Sequence, residues 1–357
     1  MPMSVLNMAE EKETILPRAD PLCPVFGECG GCCYQDIAYD TELEIKAGKI
    51  RGLLEPLMTG DGEIEAVVPS PDQYHYRHRL DFKAIKTKRG ELLLGYTPLS
   101  GQGIVPVDNC PLAAETIYKS MPLLQNEIRE RWPADYRRAN VVIRCGGDER
   151  VFWGGVGHGT LKMKADDYLF ASVNGKNIYY SMDTFFQANF SILPALFEKI
   201  VEFSVFEQRP FLFDLYGGVG LFTFGLMDHC SGSCLVESDV HAVRLARYNK
   251  DVHRYDGCTI IESPVEETLS EKLSVASGEA NVAIIDPPRA GLSEGFRDFI
   301  SRQSSVRKLF YLSCMPESLA RDLAVFVDRE WQIKKVIPFD FFPKTKHIET
   351  LVYLERP

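Results

Sequence analysis

The chain has 357 residues, of which 45% are apolar and 25% charged, as is typical of a soluble globular protein with two or three domains. This balance excludes a wholly disordered chain, a collagen-like chain and a coiled coil. No segment approaches the ~20 consecutive apolar residues of a membrane helix. With 40 basic and 50 acidic residues the net charge is −10, so a nucleic-acid partner would need a local basic patch.

The N-terminal segment predicts a cytoplasmic protein with a metal site. Residues 1–20 show no basic segment followed by an apolar one, so we expect no secretory signal. Cytoplasmic thiols are normally reduced, yet four of the ten cysteines lie within eleven residues: Cys23, Cys29, Cys32 and Cys33. Clustered thiolates bind zinc or iron–sulfur clusters. Zinc ribbons typically use two C-x2-C pairs, and only Cys29 and Cys32 form one, so the spacing favours a 4Fe–4S cluster.

The C-x5-C-x2-C spacing of Cys23, Cys29 and Cys32 supplies three ligands of such a cluster, so a fourth must come from elsewhere in the chain. Cys110 precedes Pro111, as is frequent for cysteines that bind clusters, and it is the candidate. Cys145 follows an apolar strand pattern and is expected to be a core thiol. The isolated cysteines of the C-terminal half are expected to be structural: Cys230, Cys234 and Cys258.

The middle of the chain begins with a helical pattern over residues 37–58, followed by short β-rich segments. Residues 74–90 contain six basic side chains against one acid, Asp81, with Tyr74, Tyr76 and His78 between them. Such a segment can pair with phosphates and stack bases. It can equally be a solvated strand face, and the sequence leaves both interpretations open.

After residue 175 strands alternate with helices, which predicts a doubly wound parallel sheet with ligands at the carboxyl ends of its strands. The first strand leads into the turn Asp214–Gly220, whose glycines let a nucleoside approach the backbone. Glu237 ends the next strand, where an acid can bind ribose hydroxyls. NAD and S-adenosylmethionine both fit this pattern. The DPPRAGL sequence at the third strand end favours S-adenosylmethionine, and the lack of a P-loop lysine excludes ATPases.

Cys314 follows the fourth strand and is either a nucleophile beside the cofactor or a buried structural thiol. Five motifs around it occur in a characteristic order: FFQANF, DLYGGVGLF, DPPRAGL, LFYLSCMPESLARDL and FFPKTKHIETLVYL. Over residues 23–355 the chain thereby closely resembles the RNA uracil-5-methyltransferases, which use S-adenosylmethionine to make 5-methyluridine. The cysteine cluster with the later DNCP resembles the iron–sulfur members, which mostly modify 23S ribosomal RNA.

The resemblance implies an α/β architecture in four segments. Residues 1–36 would be a tail with the iron–sulfur cysteines, and residues 37–59 a helix packing on the catalytic domain. Residues 60–172 would form a smaller β-rich, RNA-binding domain. Residues 173–357 would form a Rossmann-like methyltransferase domain. We expect a monomer that has RNA as its partner and no membrane association.

The resemblance also implies roles for individual residues. Cys314 becomes the nucleophile and Glu349 the base that removes the carbon 5 proton. The implied cofactor contacts are Gln187, Tyr216, Gly218, Gly220, Glu237 and Asp286, and the implied cluster ligands are Cys23, Cys29, Cys32 and Cys110. The chain departs from the family pattern at three positions: Gly217, Leu221 and Met315, the last in place of an asparagine beside the nucleophile.

Three other functions remain open on the sequence. A transfer RNA uridine-5-methyltransferase would use the same site, and an RNA-binding iron–sulfur protein without catalysis would explain Met315. The presence of Cys314 and Glu349 argues against a loss of catalysis. An RNA cytosine-5-methyltransferase typically has a second cysteine near the DPP-type strand, and the loop after Asp286 has none.

Overall fold

The computed structural model describes residues 18–58, 60–155, 162–267, 281–302 and 306–356. These residues form one large sheet, one small sheet and a β-hairpin. The α-helices with described bounds are α1 (Tyr39–Leu54), α2 (Glu115–Glu130), α3 (Leu193–Val201), α4 (Leu221–Gly225), α5 (Val240–His253), α6 (Glu294–Arg302) and α7 (Pro316–Asp328). Within the described ranges, no helix has the length and apolarity needed to cross a membrane.

The large sheet has eight strands. They are β1 (Glu63–Ile64), β9 (Phe211–Leu215), β10 (Gly232–Glu237), β11 (Cys258–Glu262), β12 (Asn281–Ile285), β13 (Lys308–Ser313), β14 (Gln332–Phe339) and β15 (Glu349–Glu355). Their spatial order is β1-β14-β15-β13-β12-β9-β10-β11, and β15 alone runs antiparallel to its neighbours. Strands β9, β10, β12 and β13 are short apolar runs buried on both faces, as parallel strands covered by helices require.

The small sheet is antiparallel. It contains β2 (Arg79–Lys86), β3 (Leu92–Tyr96), β4 (Val105–Pro106), β5 (Arg138–Cys145) and β6 (Val151–Gly154), in the order β4-β3-β2-β5-β6. A separate hairpin is formed by β7 (Leu169–Val173) and β8 (Lys176–Tyr180). Helix α2 covers one face of the small sheet, where Ile117 and Met121 pack with Phe82 and Ala84.

Helices cover both faces of the large sheet. On one face, α3, α4 and the β7–β8 hairpin share a core with β9, β12 and β13. On the other face, α6, α7 and the early helix α1 pack together, with Ile50 and Leu54 of α1 fully buried. The side chains of the hairpin belong to the core of the large sheet. The hairpin spans residue 172, where the sequence predicts the end of the β-rich domain.

The large sheet has its topological switch point at β9. The chain runs from β9 outward to β10 and β11, and then returns to the other side of β9 to form β12. In open α/β sheets this reversal leaves a crevice at the carboxyl ends of the two central strands, and ligands bind there. The loop after β9 and the loop after β12 therefore face each other across the crevice.

The basic segment of residues 74–90 does not form one solvated face. Tyr76 is buried, its hydroxyl donating to Pro343 O at 3.0 Å, and the ring of His78 stacks on Phe190. Arg79 pairs with Asp81 in the same strand. Only the later part of the segment presents free basic side chains to solvent, because the earlier part packs against the C-terminal half of the chain.

Candidate active site

The register of β13 and β15 places Cys314 beside Glu349. The two strands are antiparallel and their last paired residues are Ser313 and Thr350, so the next residues outward are Cys314 and Glu349. Cys314 is half-buried, whereas Glu349 is 4% exposed. Among the described residues, Glu349 Oε2 is a buried oxygen without a hydrogen-bond partner. A buried carboxylate oxygen left free beside a thiol has the placement that a proton acceptor needs.

Asp286 adds a second carboxylate to the same edge of the sheet, because it follows β12, the parallel neighbour of β13. Burial and the nearby Asp214 raise the pKa of Asp286 to about 7. Burial, then the charge of Asp286, raises the pKa of Glu349. Burial, together with Glu349 and Asp286, raises the pKa of Cys314 to about 11. The pocket thus concentrates acidic groups whose ionisation burial opposes and a positively charged ligand would favour.

Arg289 opposes these upward pKa shifts. Its guanidinium lowers the pKa of both Cys314 and Glu349, and its side chain makes no salt bridge within the described residues. Helix α7 also begins two residues after Cys314, and a helix N-terminus favours a thiolate. The motif that contains Arg289 is evident in the sequence, but its proximity to Cys314 depends on the order of the strands.

The glycine turn after β9 is fixed by Glu237. Tyr216, Gly218 and Gly220 have φ angles of 62°, 55° and 93°, so the turn uses left-handed backbone that glycine favours. Gly218 N donates to Glu237 Oε2 at 3.0 Å, while Glu237 Oε1 accepts from the backbone nitrogens of Ser238 and Asp239, each at 2.7 Å. The carboxylate at the end of β10 thereby joins the turn to the start of α5.

Gly217 and Leu221 flank this turn and depart from the family pattern. A β-carbon at Gly217 would lie 2.6 Å from Leu235 Cγ, so the neighbouring strand leaves no room for a side chain unless Leu235 moves. Leu221 is buried at the first position of α4 and belongs to the apolar core. Both positions therefore serve packing beneath the crevice.

Gln187 lies in the loop after β8, and a side chain of the small sheet binds this loop. The guanidinium of Arg144, 1% exposed, donates to the carbonyls of Ser181 at 2.7 Å, Thr184 at 2.6 Å and Phe186 at 3.3 Å. Gln187 itself is buried. The role of Arg144 could not be predicted from the sequence, because an arginine within an apolar strand pattern does not indicate that it binds a loop some forty residues later.

Strand β11 also ends at the crevice and was not predicted from the sequence. Glu262 is paired with Glu237 across the two strands, and Ser263 N donates to Glu237 O at 2.9 Å. Beyond it, Glu266 accepts from the hydroxyl of Tyr216 at 3.3 Å and from Ser293 Oγ at 3.0 Å. The segment after β11 thus closes the crevice beside Tyr216.

The four cysteines Cys23, Cys29, Cys32 and Cys110 line one small cavity at the edge of the small sheet. Gln35 Nε2 donates to Cys32 Sγ at 3.0 Å, and Gly31 N donates to Cys29 Sγ at 3.4 Å. Cys33 is exposed instead, and its backbone nitrogen donates to Lys344 O at 2.9 Å. Over the described ranges, no three His, Cys, Asp or Glu side chains are grouped as ligands of a metal ion.

The remaining cysteines of the C-terminal half, and Cys145, are buried. Cys145 lies in the core of the small sheet, where burial raises its pKa to about 12. Cys230, Cys234 and Cys258 are buried in the cores of the large sheet. These four thiols are therefore separate from the cysteine cavity.

The fold is that of a known class of enzymes. The chain superimposes on the Pyrococcus abyssi tRNA (uracil-54, C5)-methyltransferase in complex with S-adenosyl-L-homocysteine with a TM-score of 0.70. The two sequences are 25% identical, and the match covers 91% of this chain and 86% of the other. The mixed α/β fold and the crevice define an S-adenosylmethionine-dependent methyltransferase.

The sequence of residues 160–357, more than half of the chain, matches the family described as tRNA (Uracil-5-)-methyltransferase. The chain belongs to this family of S-adenosylmethionine-dependent RNA uracil-5-methyltransferases. It is 27% identical to an uncharacterized RNA methyltransferase of Clostridium tetani, over 98% of this chain and 87% of that one. It is 25% identical to the 23S rRNA (uracil(1939)-C(5))-methyltransferase RlmD of a Marinomonas species, over 95% and 81% of the two chains.

Proposed function

We propose that this protein methylates carbon 5 of a uridine in 23S ribosomal RNA, using Cys314 as nucleophile and Glu349 as base. The observation that supports these roles most directly is the adjacency of a half-buried thiol and a buried carboxylate with a free oxygen, at the end of a cofactor crevice. The relative from Marinomonas, whose name specifies 23S rRNA, supports the choice of RNA.

The proposed reaction begins at carbon 6 of the uracil. Carbon 5 is a poor nucleophile, and addition of the Cys314 thiolate to carbon 6 converts carbon 5 into an enolate carbon. S-adenosylmethionine, when bound, would supply the methyl group from its positively charged sulfonium: carbon 5 would form a bond to the methyl carbon, and the sulfur would leave as the neutral thioether S-adenosylhomocysteine. Glu349 then accepts the carbon 5 proton, and the electrons of that bond re-form the double bond and expel the Cys314 thiolate.

The crevice residues take the cofactor roles. Gly218 and Gly220 let the nucleoside approach the backbone, and Glu237 binds ribose hydroxyls at the end of β10. Gln187, Tyr216 and Asp286 complete the contacts. The buried acids Asp286 and Glu349 suit a sulfonium, whose positive charge would lower the cost of ionising both carboxyls.

The target uridine must leave its helix to react. A base stacked within RNA cannot reach a half-buried thiol at a sheet edge, so the nucleotide must be flipped out or lie in a loop. The ground-state cost of that unstacking is smallest for a loop nucleotide.

A 4Fe–4S cluster on Cys23, Cys29, Cys32 and Cys110 is part of the proposal. The cavity presents four sulfurs, N–H donors to two of them, and Arg77, whose buried Nε has no hydrogen-bond partner among the described residues. Thiolate ligands, hydrogen bonds to sulfur and a nearby positive charge are what an anionic cluster requires. Bound iron would tie the cysteine segment to the small sheet.

The RNA target is tested with purified protein, S-adenosylmethionine and two unmodified transcripts, 23S ribosomal RNA and transfer RNA. Mass mapping should find 5-methyluridine at one position in the ribosomal transcript. Methylation of the transfer RNA alone would overturn the ribosomal assignment and favour the second candidate, which the likeness to the Pyrococcus abyssi enzyme supports.

The cluster is tested by anaerobic purification and iron analysis. We expect brown protein with about four irons per chain, and loss of the iron in Cys110→Ser. Cys33→Ser is the matched control. Cys33 does not line the cavity, so this variant should keep its iron. A colourless wild-type protein with one zinc would contradict the cluster.

A further inference from the structure

Six basic side chains meet at one end of the small sheet, and together we name them the basic tip: Lys83, Lys86, Lys88, Arg89, Arg137 and Arg138. We infer that the basic tip binds the phosphate backbone of the substrate RNA outside the target nucleotide. The inference rests on the proposed function, since it concerns how the same RNA is held. It assigns a binding surface that lies away from the cofactor crevice.

The pairing of β2 with β5 assembles the basic tip from two distant segments. Lys83 lies opposite Asn140, and Ile85 lies opposite Arg138. Just beyond that pair, Lys86 N donates to Arg137 O at 2.9 Å. The turn between β2 and β3 then adds Lys88 and Arg89, so the two segments become neighbours although they are about fifty residues apart in the chain.

The side chains of the basic tip are available to a partner. Five of them are exposed and Lys86 is half-buried. Within the described part of the chain none of the six side chains makes a salt bridge or a hydrogen bond, although other exposed basic residues are paired with acids. Two acids, Glu91 and Asp135, lie in the same turns. In a chain of net charge −10, this leaves a local excess of unpaired positive charge, which is the electrostatic signature of a phosphate-binding surface.

Two members of the basic tip, Lys83 and Arg138, lie on the face of the small sheet opposite α2. Lys83 alternates along β2 with Phe82 and Ala84, which pack under α2, so Lys83 projects from the opposite face of the sheet. Ile85 lies two residues after Lys83 and therefore on the same face, and Arg138, which is paired with Ile85, projects from that face as well. Phosphates approaching this face would not meet α2.

The basic tip lies far from the loop that holds Gln187. That loop is bound by Arg144, which is paired with Arg79 at the opposite end of β2. Four residue steps separate Arg79 from Lys83 and seven separate it from Lys86, spans of about 13 and 23 Å in an extended strand. An RNA whose uridine occupies the crevice would therefore reach the basic tip with its flanking backbone.

An aromatic side chain accompanies the basic residues. Tyr136 is 44% exposed, and its carbonyl accepts from Trp132 Nε1 at 2.8 Å, which orders the turn before β5. An exposed aromatic ring beside cations can stack an unpaired base. This arrangement fits RNA better than an acidic protein surface, which would need the cations but not the ring.

The test compares wild type with K88A/R89A, R137A/R138A and the variant with all four changes. The unmodified 23S transcript is the probe, or the transfer RNA transcript if that is the one methylated. We expect the fourfold variant to raise the KM for RNA about tenfold or more, with little change in kcat and unchanged affinity for S-adenosylmethionine. The slope of log K against log salt should fall in magnitude by about 0.9 for each duplex phosphate that the variant no longer neutralises.

K119A/R131A is the matched control for each double variant. It also removes two exposed basic residues, but these pair with Glu115 and Glu127 on α2, across the small sheet from the basic tip. We expect wild-type KM and salt dependence from this control.

Wild-type affinity and salt slope in the fourfold variant would overturn the inference. A defect seen only with assembled ribosomal subunits, and not with naked RNA, would show a protein partner and would overturn it as well. Filter binding of the transcripts separates this result from the proposed function, because RNA affinity is measured even if wild-type protein methylates neither transcript.

Discussion

Arg289 is the positive charge that favours the thiolate form of the proposed nucleophile, Cys314. Attack requires the Cys314 thiolate, and burial with two nearby carboxylates raises the pKa of Cys314 to about 11. Arg289 is the cation that lowers the pKa of both Cys314 and Glu349. Both groups must lose a proton to act, so catalysis should increase as pH rises and should depend on this charge.

We predict that single-turnover methyl transfer by wild type accelerates between about pH 7 and pH 9, where the thiolate fraction rises about tenfold per pH unit. In Arg289→Gln the pKa of Cys314 should be higher, so the rising limb should move to higher pH. Arg289→Lys is the control that keeps the positive charge. A profile for Arg289→Gln that coincides with wild type would show that Arg289 does not act on the thiol.

Met315 leaves helix α7 without a side-chain N-cap next to the proposed nucleophile. It occupies the N-cap position of α7 with extended backbone, and its side chain forms no capping hydrogen bond. Asparagine at an N-cap accepts from the first free N–H groups of the helix, which methionine cannot do. The departure from the family pattern therefore has a local energetic cost in α7.

Restoring asparagine should recover that stability. We predict that Met315→Asn is about 1 kcal/mol more stable than Met315→Ala, measured as the free energy of unfolding in urea. The alanine variant is the reference because it removes the apolar side chain of Met315 without adding a cap. Equal unfolding free energies for the two variants would contradict the missing cap.

At the scale of elements, the segment of residues 340–345 leads from β14 towards Glu349, and hydrogen bonds to its backbone carbonyls fix its position. Each of four consecutive carbonyls accepts a hydrogen bond from a distant part of the chain. The donors are Asn189 to Phe341 O at 3.1 Å, Lys46 to Phe342 O at 3.2 Å, Tyr76 to Pro343 O at 3.0 Å, and Cys33 N and Tyr34 N to Lys344 O at 2.9 and 3.1 Å. The position of Glu349 therefore depends on the N-terminal half of the chain.

Lys46 is the charged centre of this arrangement. Its Nζ lies 2.7 Å from Glu42 Oε1 and 2.7 Å from Asp340 Oδ1, and all three side chains are at most 2% exposed. Glu42 Oε1 also accepts from Lys344 N at 2.7 Å. Among the described residues, removing Lys46 would leave Asp340 without an ion pair and Glu42 with only Lys344 Nζ, 3.6 Å from its Oε2. Breaking such a buried group by removing one partner costs about 3–5 kcal/mol.

We predict that Lys46→Met lowers the free energy of unfolding by about 3–5 kcal/mol. Ile50→Val, one turn further along α1 and fully buried, should cost only about 0.5–1.5 kcal/mol. If Lys46→Met does not fold, the double variant Glu42→Gln, Lys46→Met should recover folding, because one of the buried carboxylate charges is gone. A loss below about 1 kcal/mol in Lys46→Met would contradict the role of this buried network.

The elements whose signals are local could be predicted from the sequence. The apolar runs of β9, β10, β12 and β13 end in glycine, acids or Cys314, and the structure forms strands there. The helix predicted over residues 37–58 is α1, which ends at Leu54 and is followed by a short 3-10 turn containing Pro56. Helix α2 was missed because Pro122 lies within it and a proline normally breaks a helical pattern.

At the scale of the whole molecule, what could not be predicted is long-range pairing. The sequence placed Cys314 and Glu349 in the same site by resemblance, but only the antiparallel register of β13 and β15 makes them neighbours. The clamp of Arg144 on the Gln187 loop and the pairing that forms the basic tip join segments more than thirty residues apart. No local pattern encodes such contacts, because they depend on strand order.

The cysteine cavity is linked to the proposed active site by hydrogen bonds. The cysteine cavity lies at the edge of the small sheet, and the adjacent residues Cys33 and Tyr34 donate to the carbonyl of Lys344, five residues before Glu349. A cluster bound at the cavity would order the cysteine segment and, through these hydrogen bonds, the segment before the proposed base.

Cys314 and Glu349 are proposed to act in sequence on one uridine, and trapping the intermediate tests this most directly. Glu349→Gln keeps the nucleophile and the cofactor crevice but cannot accept the carbon 5 proton. This variant, mixed with substrate RNA and methyl-labelled S-adenosylmethionine, should accumulate a methylated protein–RNA adduct that survives denaturing electrophoresis. The adduct should be absent from the Cys314→Ala, Glu349→Gln double variant. Wild-type turnover by Glu349→Gln without any adduct would contradict the sequential roles of the two residues.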